Sequence, residues 1–253
     1  MCELFGFTGS KATDVGDYLE AFFKHSEMHP HGWGIMYEKG YRKHFREPVK
    51  ASVSVKLPEV EKDIPAQKNM LAHIRYATVG SVRAENCHPF AQEDVSGREW
   101  TMIHNGTIYS GRNTYRYYKT QEGDTDSERL FLSFIDTINE ALGHHGKLTE
   151  KDRFKVVNDF ITVNAPRNKL NLIFYDGELM YVHKNFKNTL YFKRVEGGIV
   201  ISTQPLDEGE WVPFPMAQVI AYRNGKVVYR GDRHDGVFTP TLEYITALDA
   251  MNL

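Results

Sequence analysis

Cys2 draws attention by its place in the chain. Removing Met1 would leave one residue carrying both a thiol and a free α-amine. With ordinary pKa values of ~8.5 for the thiol and ~7.7–8.0 for the amine, part of the amine is free base at neutral pH. It can then take the thiol proton. Attack of such a thiolate on a carbonyl creates an oxyanion, which needs donors already in place. His104-Asn105-Gly106 ends a stretch that reads as a strand. The Asn105 amide and the Gly106 backbone N–H form a donor pair of that kind, and glycine admits close approach. Taken alone, Asn-Gly is equally a turn signal. In His73-Ile74-Arg75-Tyr76-Ala77-Thr78-Val79-Gly80, strand alternation sets His73, Arg75 and Ala77 on one face. The Arg75 fork there suits a substrate α-carboxylate or an ordinary ion pair. In Gly123-Asp124-Thr125-Asp126-Ser127-Glu128, Asp126 stands at a helix start, fit to hold an α-ammonium group or simply to cap the helix.

Other constellations compete. Cys87-His88 pairs a thiol with a base, but neighbours in an extended segment point to opposite faces, so Cys87 reads as a buried or pocket-wall thiol. Eleven histidines invite a metal, with His29/His31 or His144/His145 as ligands. Neither pair has an acidic or thiolate companion at the usual spacing, so no metal is expected. The Tyr109–Tyr118 loop, with Arg112 and Arg116, has the makings of a stacking surface for single-stranded nucleic acid. A net charge of −2 opposes that, and the loop reads as a lid or partner-facing segment.

Six blocks in order, Met1-Cys2-Glu3-Leu4-Phe5-Gly6, His31-Gly32-Trp33-Gly34-Ile35, His73-Ile74-Arg75-Tyr76-Ala77-Thr78, His88-Pro89-Phe90, His104-Asn105-Gly106 and Thr125-Asp126-Ser127-Glu128, resemble class II glutamine amidotransferase domains. The likeness is nearest to the stand-alone YafJ-like members, with Ser202-Thr203-Gln204-Pro205-Leu206 and Trp211 adding to it, and it runs over about 2–230. It implies an α+β Ntn-hydrolase fold, a four-layer αββα sandwich of two antiparallel sheets flanked by helices. It also implies that Cys2 is the nucleophile and that Asn105 and Gly106 form the oxyanion pair. By the same likeness Arg75 takes the glutamine α-carboxylate, Thr78 and the loop through Val82 close over substrate, and Asp126 rather than Asp124 takes the α-amine. His88 corresponds to a pocket-lining histidine and Gly32 to a loop glycine near the nucleophile. Tyr76 stands where many relatives have tryptophan, and His29-Pro30-His31 replaces the Arg-Gly block of several. The implied substrate is glutamine or a γ-glutamyl amide, with no cofactor. The implied partner is an ammonia-accepting synthase subunit or a second copy of the chain.

The elements that must position these groups are legible in outline. Residues 2–8, Gly32–Tyr37, Tyr41–Phe45, Met70–Ala77 and Trp100–His104 read as strands. Leu130, Phe131, Phe134, Ile135, Ile138 and Leu142 recur at helical spacing over Ser127–Leu142, with Asp126 or Ser127 as cap and Gly143 at the C-terminal glycine position. A second helix is expected from about Glu150 to Val163. Strands return at Leu170–Tyr175, Leu179–His183, Leu190–Phe192, Gly198–Thr203, Ala217–Tyr222 and Lys226–Tyr229, with Asp176-Gly177 and Asn224-Gly225 as hairpin turns. Strands, then helices, then strands favour antiparallel sheets covered by helices over a doubly wound sheet. The 253 residues, 41% hydrophobic and 25% charged, read as one domain over 2–253 whose last part, from about 232, is an irregular tail with a short helix at Leu242–Leu248. No secretory signal and no apolar run near the ~20 residues of a membrane span is visible, so a cytoplasmic protein without membrane or nucleic-acid partners is expected. The two cysteines, Cys2 and Cys87, are expected as free thiols.

Overall fold

A computed structural model describes residues 2–110 and 114–240. Arg112, Met1 and the helix expected at Leu242–Leu248 lie outside them. In chain order the elements are β1 (Glu3–Thr13), α1 (Gly16–Lys24), β2 (Trp33–Lys39), β3 (Tyr41–Glu47), α2 (Leu57–Asp63), β4 (Gln67–Ile74), β5 (Phe90–Glu93) and β6 (Glu99–Thr107). Then come α3 (Asp126–His145), α4 (Glu150–Asn164), β7 (Lys169–Tyr175), β8 (Met180–His183), β9 (Tyr191–Val195), β10 (Gly198–Ser202), β11 (Val212–Pro213), β12 (Ile220–Arg223) and β13 (Lys226–Arg230). Two sheets result, ordered β11-β9-β10-β1-β4-β2-β3 and β13-β12-β8-β7-β6-β5, and the strand pairs within them are antiparallel.

Side-chain alternation turns these sheets into four layers. On β1, Phe5 and Phe7 pack outward with Leu19, Phe22 and Phe23 of α1 and Leu57 and Val60 of α2. Leu4 points the other way, into a core with Leu71, Ile103, Ile173 and Met180 that fills the space between the sheets. Beyond the second sheet, Trp100, Met102, Leu172 and Phe174 meet Leu130, Phe134 and Ile138 of α3 and Val157 and Ile161 of α4. Two antiparallel sheets flanked by helices, an α+β fold, is therefore what the chain adopts. No helix among the described residues is long and apolar enough to cross a membrane.

Several expected boundaries shift for local reasons. Thr125, not Asp126 or Ser127, caps α3, its hydroxyl accepting from Glu128 N–H at 3.2 Å. Gly143 lies inside that helix, and the terminating glycine is Gly146 at φ +67°. The helix thus runs a turn further before a left-handed residue closes it. A reciprocal Thr149/Asp152 box starts α4. β4 stops at Ile74, so Arg75 and Ala77 sit beyond its end. β12 begins only at Ile220 because Ala217, at φ +52°, breaks the extension. Helices α1 and α2 and strands β5 and β11 add to the expected elements. The 231–240 segment is irregular, tied down by Gly231, His234 and Phe238 N–H bonds to Val219, Ala217 and Asn185 carbonyls.

Candidate active site

The inter-sheet layer changes character toward one end. Alternation puts Cys2 on the face of Leu4, and Asn105 on the face of Ile103. It likewise puts Lys169 and Asn171 on the face of Ile173. Apolar filling thus gives way to a thiol, two amides and an ammonium. Cys2 and Asn105 line the same cavity of ≈ 320 Å³, together with Glu3, His29, Thr189, Tyr191 and Gln204. A larger groove of ≈ 1070 Å³ runs between α3 and α4, past His144, Phe160 and Asn168, and holds neither thiol.

Cys2 is half-buried, held at the start of β1 where Leu4 N–H donates to Thr203 Oγ1 at 2.8 Å and Thr203 N–H returns a bond to the Leu4 carbonyl at 3.0 Å. Its sulfur accepts from Tyr76 N–H at 3.3 Å and lies 3.4 Å from the Tyr76 carbonyl. Burial pushes the thiol pKa up, while the Tyr76 N–H and the charges of Arg75 and Lys169 pull it down. Cys87 is fully buried and its thiol is pushed up to about 11 by burial. The charges of Arg75 and Arg46 pull it down against that burial, and both thiols are free.

Asn105 is 2% exposed, and its side-chain Nδ2 has no hydrogen-bond partner among the described residues. Its Oδ1 accepts from Lys169 Nζ at 3.3 Å. Beside it, a Cβ on Gly106 would stand 1.8 Å from the Lys169 carbonyl, so the two strands can approach here only because this residue is glycine. Asp126 binds the chain just beyond, its carboxylate accepting from Ile108 N–H at 2.7 Å and Ser127 N–H at 3.0 Å. His104, on the opposite face, bridges Ser127 Oγ at 2.9 Å and the Lys169 carbonyl at 3.0 Å.

Arg75 is buried beside Cys2, but its guanidinium donates to the carbonyls of Val79, Gly80 and Ser81 at 3.1, 3.3 and 2.9 Å. It holds the loop that follows it instead of lining the cavity. Asp124 fastens the same loop through Ser81 N–H and Oγ and Asn86 Nδ2. Thr78 is exposed on it. Gly32 accepts the Arg75 N–H at 2.8 Å and lies against Cys87, where a Cβ would come 2.4 Å from the sulfur. His88 is buried away from the cavity, its ring 4.2 Å from that of His73 and 4.4 Å from Phe90. Burial holds His88 well below the usual histidine pKa, hence neutral. The structure therefore gathers Cys2 and Asn105 at one cavity, places Gly106 and Arg75 next to them, and leaves Thr78, His88, Gly32 and Asp126 outside its lining.

Three contributors escaped the sequence reading. Lys169 is 1% exposed, and burial pushes its ammonium down to about 7. The signal was present in the alternation Lys169, Asn171, Ile173, but Arg167-Asn168-Lys169 looks like a solvated turn. Glu3, buried at the cavity wall, accepts from Gln204 Nε2 at 2.6 Å and pairs with His25 Nδ1 at 2.9 Å. His31 accepts the Ala77 N–H on Nδ1 at 2.9 Å and packs edge-on against Tyr76, bracing the segment that touches the thiol. Among the described residues no group of three or more His, Cys, Asp or Glu side chains is arranged to hold a metal ion.

Residues 1–197 match the family described as glutamine amidotransferases class-II. An uncharacterized protein of Methanocaldococcus jannaschii is 29% identical over 264 residues, covering 92% of this chain and 72% of that one. YafJ of Escherichia coli (strain K12) is 32% identical over 145 residues, 55% of this chain and 56% of its own length. The chain thus spans little more than half of that relative. Among solved structures, the glutamine phosphoribosylpyrophosphate amidotransferase of B. subtilis superposes with a TM-score of 0.68 at 14% identity, over 93% of this chain and 50% of that one. At that identity the likeness is one of fold.

Proposed function

The chain belongs to the class II glutamine amidotransferases, and on that premise we propose that it hydrolyses the γ-carboxamide of glutamine through a γ-glutamyl thioester on Cys2. The observation that carries this reading is the meeting of Cys2 with a buried, unpartnered Asn105 Nδ2 at one cavity. An amide N–H left unpaired in a protein interior costs about 1–3 kcal/mol, a cost that an arriving oxyanion would repay.

The steps are these. With Met1 removed, the α-amine of Cys2 takes the thiol proton and the thiolate attacks the γ-carbonyl. Asn105 Nδ2 and the Gly106 N–H receive the oxyanion. The amine passes its proton to the departing nitrogen, ammonia leaves, and the thioester remains. Water, deprotonated by the same amine, then releases glutamate and the free thiol. Arg75 and Asp126 take the substrate α-carboxylate and α-ammonium by exchanging their present backbone partners, with the Thr78–Val82 loop moving to permit it. Gly32 fixes the Arg75 backbone, and His88 supports the inner wall as a neutral ring. The reaction needs neither cofactor nor metal.

Replacing Cys2 by alanine removes glutamate and ammonia release, and active protein weighs one methionine less than the full translation. Wild-type turnover by Cys2→Ala, or full activity in molecules that keep Met1, would overturn the proposal. A second reading is favoured by the cavity itself. At ≈ 320 Å³, with Glu3, His29 and Gln204 on its wall, it has room for a leaving amine larger than ammonia. A γ-glutamyl amide or peptide would then be the substrate, which a panel of such amides beside glutamine distinguishes. Ammonia from glutamine would pass to a synthase partner, and co-purification of one supports that role. No covalent adduct of Cys2 with a glutamine-mimicking diazoketone would instead point to a silent glutamine-binding scaffold.

A further inference from the structure

Lys169 opens β7 on the face that looks between the sheets, and it is almost completely buried. An ammonium at such a place costs several kcal/mol unless its surroundings use it. Its Nζ stands 3.3 Å from Asn105 Oδ1. The contact is built by the backbone. Asn105 is paired with Asn171 and Gly106 with Leu170, which makes Lys169 and Asn105 a diagonal pair on one face. The missing side chain of Gly106 lets the Lys169 carbonyl come close.

We propose that Lys169 is the positioning residue for the Asn105 amide: its ammonium holds the amide oxygen and so turns the NH₂ toward the cavity beside Cys2. The inference rests on the oxyanion role proposed above for Asn105. An asparagine amide has an accepting end and a donating end of nearly equal shape. An ammonium has donors only. Flipping the amide by half a turn would set NH₂ against NH₃⁺, so one orientation alone is tolerated. The orphan Nδ2 is then the outcome of this choice, not a packing fault. A charged donor on the amide oxygen also polarises the group and makes its N–H a better donor. Burial pushes the ammonium down to about 7, and the charge of a Cys2 thiolate pulls it back up.

The test is a double-variant cycle on the full chain with the substrate that the wild type turns over. Lys169→Met keeps an unbranched side chain, one atom shorter, and removes its donors. It is expected to lower kcat by about 10- to 100-fold with KM within about twofold of wild type, since a misaimed oxyanion donor is felt in the transition state. Asn105→Ala is expected to lower kcat by about 10²–10³-fold. The double variant should then fall within about threefold of Asn105→Ala alone, because Lys169 has no amide left to aim. Lys169→Gln, which keeps an N–H donor, should recover part of the loss. It also carries the cycle should the methionine variant not fold. Retention of more than half the wild-type kcat in Lys169→Met, or multiplication of the two losses in the double variant, would overturn the inference. A wild type that depends on Cys2 and Asn105 but is indifferent to Lys169 sinks this inference alone. A wild type without turnover, or activity surviving in Cys2→Ala, sinks the proposed function and this with it.

Discussion

Two buried polar clusters lie at different points of the second sheet and its surroundings, and they are built on opposite principles. Around Asp176, both carboxylate oxygens are consumed. Oδ2 accepts from Arg153 Nε at 2.8 Å and Tyr181 Oη at 2.8 Å, and Oδ1 from the Glu178 and Leu179 N–H groups at 2.9 and 2.7 Å. Arg153 also pairs with Glu178. Around Cys2 the cluster stays open: among the described residues Asn105 Nδ2 lacks a partner, and a cavity opens beside it. Buried charge is therefore no mark of a site in this molecule. The unfinished cluster is the one that has room for a substrate, while the finished one fixes the Asp176-Gly177 hairpin to α4.

The sharpest way to break this contrast is Arg153→Ala. Removing one partner of a buried pair leaves Asp176 uncompensated, which typically costs about 3–5 kcal/mol. Urea titration should show that loss, while turnover per folded molecule stays at the wild-type level. A drop in turnover with stability intact would make the Asp176 cluster part of the site. Acid sharpens the contrast next. Burial lowers His73 and His183 from the ordinary 6.5 to about 3, so both are neutral when folded and take up protons when unfolded. Their contribution is complete above about 6.5 and is lost as pH falls through that value toward 3, at up to about 1.4 kcal/mol per pH unit for each. Melting temperatures across pH 7 to 4 should fall accordingly, and a flat profile would mean that these rings are solvated. The smallest effect concerns Thr125, which caps α3 next to Asp126. Thr125→Ala should cost about 1 kcal/mol in thermal unfolding and leave KM for the substrate unchanged. A raised KM would show that the cap also orients Asp126.

How far the chain could be read in advance follows from what each feature depends on. Periodicity over 127–142 and the Asn224-Gly225 turn, with both residues at positive φ, depend on neighbours in sequence and were legible. Leu19, Phe22 and Phe23 also have helical spacing, but nine residues of α1 are too short a run to stand out. Gly143 and Gly146 both follow the apolar stripe of α3, and the local sequence does not say which of them takes the positive φ. At the site, Cys2 stands out by its place in the chain, while Asn105 alone reads as a turn residue and comes forward only through the family likeness. Lys169 could not be read in advance, since its burial is decided by the first sheet packing over the face of β7 on which it stands. Nor could the attachment of Arg75 to the Val79–Ser81 carbonyls, which depends on the path of a loop without periodicity. His88, expected from the family likeness as a pocket-lining histidine, is a buried ring packed against His73 and Phe90, a placement that no local pattern announces.

Leu71, Ile103 and Ile173 fill the space between the sheets. Because the thiol hangs from one sheet and the amide from the other, that filling is also the spacer that sets the gap between them. A bulkier residue there would act as a wedge and a smaller one as a missing shim, retuning the chemistry without touching a reacting atom.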